Sequence, residues 1–91
     1  MVRISESGST EETIHLRLEG QVIGQGVVEV QKICEHLLAM DHKLALDLAE
    51  VVFVDRTGVT LLQDLARRQV VLLNCTPFLA EQLKDTNSEV R

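Results

Sequence analysis

The stretch LALDLAEVVFVDRTGVTLL, Leu44 to Leu62, changes its hydrophobic period in mid-run. Leu44, Leu46 and Leu48 alternate, with Asp47 on the other face, which is the period of a strand. Val51 to Val54 is uninterruptedly apolar and rich in β-branched residues. From Val59 the apolar residues recur as Val59, Leu62, Leu65 and Ala66, the spacing of a helix. Leu61 falls at the margin of that stripe. A strand that feeds directly into an amphipathic helix is half of a crossover unit, and it commits the chain to an α/β architecture. The junction is Asp55-Arg56-Thr57-Gly58, an acid, a base, a hydroxyl and a glycine.

The rest of the chain fits around this block. Val2 and Ile4 alternate with polar residues, as in a short edge strand, and Ile14, Leu16 and Leu18 form a half-buried second one. The polar run Ser5 to Glu12 joins them as a hairpin. Gly20 ends the alternation, and Gln21 to Ile23 extends the sheet briefly. Gly24-Gln25-Gly26 reads as a joint rather than a phosphate cradle, because neither a G-x-G-x-x-G nor a Walker sequence is present. From Val27 a helical stripe runs through Val30, Ile33, Cys34, Leu37 and Leu38, and ends near Met40-Asp41. Val70 to Leu73 is apolar throughout, which predicts a parallel interior strand covered on both faces. Thr76-Pro77 supplies a cap and a first helical residue for a last helix anchored by Phe78, Leu79 and Leu83. Asp85 to Arg91 reads as a polar tail that frays. The expected fold is a single α/β domain over residues 1–91, with its core in residues 2–84. It has a small mixed sheet of about four strands with helices mainly on one face.

Composition narrows the function. The 91 residues carry a net charge of -5, which repels nucleic acid and anionic membranes. Phe53 and Phe78 are the only aromatics, so there is no platform for stacking bases. No apolar run reaches membrane-spanning length, and the polar N-terminus has no signal-peptide pattern. Cys34 and Cys75 stand far apart in apolar settings and read as free thiols of a reducing, cytoplasmic compartment. The expected partner is a protein or a small molecule.

No catalytic constellation is visible. Asp55 could accept a phosphoryl group as a strand-terminal aspartate, but no acidic pair follows the first strand to hold Mg²⁺. Its simpler role is to cap the helix that follows. Cys75 lies near a helix start that could activate it, yet nothing places His15, His36 or His42 beside it as a base. The histidines lack metal-ligand spacing, so neither a metal nor a cofactor is expected. Thr57 and Gly58 open a helix, where backbone N–H groups favour anions.

Three blocks together resemble the STAS domain family, the sulfate-transporter and anti-sigma-factor-antagonist domains. LRLEGQV (Leu16 to Val22) is similar to the second-strand signature. LALDLAEVVFVDRTGVTLL is similar to the family's strand, apolar run and D-S-[ST]-G helix start. LLNCTPFLAEQL (Leu72 to Leu83) is similar to its closing strand, turn and helix. The resemblance implies a sheet with helices on one face and a non-catalytic regulatory role in bacterial transcription. It implies a protein partner, an anti-sigma factor or related serine kinase.

In such antagonists the hydroxyl residue after the Asp is phosphorylated by the partner, and the added charge breaks the complex. Here Arg56 occupies that position. The chain is then either a constitutive binder, with Arg56 on an acidic partner surface, or a switch moved to Thr57, or a scaffold whose site has decayed. The expected contact surface is Asp55, Arg56, Thr57, Gly58, Thr60 and Gln63, with Val59 beside them, and an exposed Leu61 would join it. The alternative is a small-anion or nucleotide module using the Thr57-Gly58 helix start.

Overall fold

The computed structural model describes residues 2–88, with side chains through Lys84. The elements follow in the order β1 (Val2–Glu6), β2 (Thr13–Val22), α1 (Gln25–Ala39), β3 (Lys43–Val54), α2 (Arg56–Arg67), β4 (Val71–Leu73) and α3 (Pro77–Ser88). The expected frayed tail lies partly outside the described residues: α3 continues its backbone to Ser88, and 89–91 are not described.

One mixed sheet has the order β1-β2-β3-β4. β1 pairs antiparallel with β2, closing the expected hairpin, while β2–β3 and β3–β4 are parallel. Both parallel connections step in the same direction across the sheet. Right-handed crossovers therefore set α1 and α2 on the same face. The core lies between that face and the helices. Leu16, Leu18 and Val22 of β2 and Leu44, Leu46, Leu48 and Val54 of β3 meet Val27, Val30 and Cys34 of α1 and Val59, Leu62 and Leu65 of α2. It is wholly aliphatic but for Cys34, since neither phenylalanine enters it.

The opposite face is open and carries the polar half of each alternation. Arg17 and Asp47, partners in the β2–β3 register, form an ion pair at 3.8 Å. Asp47 also accepts from the Ala49 N–H and the Asn74 amide.

The expected extension of the second strand past Gly20 is present, and the expected place of β4 needs correction. β2 runs past Gly20 to Val22, one residue short of the expected extension to Ile23, and Gly20 adopts φ 94 between two register shifts, at Arg17/Glu19 and Gly20/Gln21. The shifts let β3 run unbroken for 12 residues, so Leu44–Leu48 and Val51–Val54 are one strand. β4 is parallel but not interior. It is a three-residue edge strand with Val71 53% exposed. Its apolar run has cover on one face only, through Val70 and Leu72.

Candidate functional site

Asp55 ends β3 and caps α2, with an extended backbone (φ -82, ψ -179) that lets its side chain fold back over the first turn. Oδ1 accepts from the Gly58 N–H at 2.8 Å and from the Thr57 hydroxyl at 3.0 Å. Oδ2 accepts from the Gly24 N–H at 3.1 Å. Gly24 is the residue before α1 and adopts φ 51. One carboxylate thus ties together the starts of both helices above the ends of β2 and β3. The Asp55 N–H completes the corner by donating to the Val22 carbonyl. These donors, Gly58 first and Gly24 next, hold the Asp55 carboxyl below its ordinary value.

Gly58 is fixed by packing rather than by conformation. A Cβ there would stand 2.6 Å from Val54 Cγ1 and 2.7 Å from the Val22 carbonyl oxygen. The helix start can press onto the strand ends only because nothing projects from this residue. Gly58 is buried, so the structure puts it beneath the expected contact surface.

The other expected residues divide. Arg56, Thr57 and Thr60 are exposed along one side of α2. Thr60 donates its hydroxyl to the Arg56 carbonyl one turn back. Gln63 is half-buried and donates its amide to the Leu83 carbonyl, joining α2 to α3. Val59 and Leu61 are buried, only 6% and 7% exposed, so neither belongs to the outer surface. Leu61 turns toward α1, which carries the marginal position of its stripe into the helix–helix seam.

That seam holds a groove the sequence did not reveal, of about 420 Å³. Its walls are Val27, Val28 and Gln31 of α1 against Thr60, Leu61 and Asp64 of α2, with Thr57 at the end nearest the corner. At the far end of α2, Arg68 makes a forked pair with Glu35 of α1, at 2.7 and 2.9 Å. The partners are 33 positions apart, and no local pattern links them.

Catalytic chemistry finds no support in the thiols or histidines. Burial pushes the Cys34 thiol up to about 11, and burial raises Cys75 as well, which disfavours a thiolate at either. Both cysteines are free. Among the described residues, no histidine hydrogen-bonds to Cys75, and no three His, Cys, Asp or Glu side chains are gathered as a metal would require. No described helix is long and apolar enough to cross a membrane.

No protein-family model matches the chain. A Rab3 GTPase-activating protein regulatory subunit from Caenorhabditis elegans is 34% identical over 77 residues, covering 81% of this chain but only 6% of that protein. Among solved structures, the anti-sigma factor antagonist SpoIIAA in its unphosphorylated form superposes with a TM-score of 0.75. The match covers 90% of this chain and 82% of that one at 19% identity. The four-stranded mixed sheet with helices on one face is therefore the fold of an anti-sigma factor antagonist, the STAS architecture.

Proposed function

We propose that this chain is a non-catalytic regulatory module that binds a partner protein through the Asp55–Gly58 corner and the exposed side of α2, as an anti-sigma factor antagonist does. The observation that carries the reading is Arg56. Its side chain is exposed at the rigid corner, beside a groove, and has no ion-pair partner among the described residues. A planar, permanently charged fork held on a capped helix start suits a carboxylate-bearing surface. The partner class is an anti-sigma factor or related serine kinase with acidic residues at the contact.

Binding is constitutive in this account. Arg56 stands where the resemblance puts the phospho-acceptor, and it offers no hydroxyl. Thr57 has one, but donates it into the Asp55 cap. The anion-binding alternative is disfavoured by the same cap. The Gly58 N–H already serves a carboxylate, and a second anion would lie against that charge.

The test is capture of the partner by the tagged chain from its native cells, followed by affinity measurement with variants. Arg56→Glu should weaken binding by about thirtyfold or more if Arg56 anchors the complex. Thr57→Asp should change it little. Unaltered binding by Arg56→Glu overturns the assignment, and loss of binding by Thr57→Asp alone supports a switch at Thr57.

A further inference from the structure

The chain has only two aromatic residues, and both lie on its surface beside one another's elements: Phe53 is 46% exposed and Phe78 63%. Val52, next to Phe53, is 70% exposed, more than any other large apolar side chain described. With Val51, Val54 and Leu79 they line a groove of about 240 Å³ between the end of β3 and the start of α3.

The groove exists because β4 stops early. Its ladder with β3 covers only Ala45 to Asp47. Asn74 then takes φ 58, donates its amide to Asp47 and turns the chain away toward α3. Asp47 also receives the Ala49 N–H. Glu50, Val51 and Phe53 of β3 pair with β2 on one side, with Val52 the extra residue at the Gly20/Gln21 register shift, while on the other side no described strand pairs with this stretch. Gln82 lines the same groove, and its buried Oε1 has no hydrogen-bond partner.

A free strand edge flanked by apolar side chains matches the requirements of an added strand. Backbone pairing supplies the affinity, and alternate side chains fill the groove. Charge selects what is added. Glu50 is exposed at the beginning of the free edge, and Glu81 is exposed one turn along α3 from Phe78. Lys84, the base on this part of α3, is turned roughly 120° around the helix from Phe78. A second copy of this chain, itself of net charge -5, would bring the same acids to the contact. An extended segment with basic flanks would neutralise them.

We infer that the β3 edge at Glu50–Phe53 is a second docking site, which takes an extended, apolar peptide segment with Lys or Arg flanks from another polypeptide. Arg56 does not line this groove, and the test can fail without touching the role of Arg56. Random peptides displayed for selection against the immobilised 91-residue chain should enrich sequences that alternate apolar residues between basic flanks. A synthetic peptide of that sequence should shift the amide signals of residues 50–53. It should bind Val52→Lys about tenfold or more weakly, because one cation both fills and repels the groove, and should bind Arg56→Glu unchanged. Val52 is exposed, so this variant folds. Selection of no such peptide, equal binding to Val52→Lys, or shifts confined to α2 overturns the proposal. Self-association of the free chain that Val52→Lys abolishes would give the edge to a second copy and overturns it too.

Discussion

Asp55 and Gly58 show how one tetrapeptide can be read two ways. As a motif, the junction suggested four contact residues; in the structure, two of them build the corner and two are presented by it. Gly58→Ala should destabilise the chain by about 1–3 kcal/mol, because the new methyl meets a backbone carbonyl that cannot turn aside. Urea unfolding would measure it, and a change within error would mean that the helix start can lift off the strands. Asp55 makes a pH-dependent contribution. Its folded carboxyl titrates below its ordinary value of 3.8, so its stabilisation is complete above that value and is lost as the pH falls through the lower, folded one. Asp55→Asn should lower stability at neutral pH and flatten this part of the acid limb, as followed by unfolding at stepped pH. The capping role of Asp55 was legible from a strand end, an acid and a helical period. Its bond to Gly24 was not, because the two residues are 31 positions apart and come together only when β2 and β3 pair.

At the scale of elements, period was a sound guide and composition a weaker one. The helices α1 and α2 and the hairpin follow from spacing alone. The apolar run at Val70–Leu73 predicted an interior strand, yet the chain provides no further described strand to cover it, and β4 stands at the edge. Gly20 read as the end of the alternation, with the sheet carried briefly beyond it, and the structure shows why: the register slips on either side of that glycine. Two substitutions separate core from surface. Leu62, fully buried between α2 and the sheet, should cost about 2–5 kcal/mol when changed to Ala. Val52→Lys should stay within about 0.5 kcal/mol of the parent, since the side chain is mostly in solvent. Both are read from denaturant midpoints, and a large loss on Val52→Lys would mean that the groove beside α3 is part of the core.

The whole molecule combines a sheet covered on one face with a negatively charged exterior. Architecture was legible because it rests on local periods and short connections, together with three family-like blocks in order. The surface was less legible. Nothing in the sequence announced that α1 and α2 leave a groove, or that β3 outruns β4, because both depend on how far apart packed elements end. The same limit applies to the candidate contacts: Val59 and Leu61 lie on the helix that carries Arg56, but they face inward. The most direct test of the central claim is amide hydrogen exchange on the chain with and without its captured partner. Binding through the Arg56 corner predicts slowed exchange in residues 56–64 and none added at residues 13–19 on the open sheet face. Protection confined to the open face, or capture of no partner by the folded chain, would contradict it.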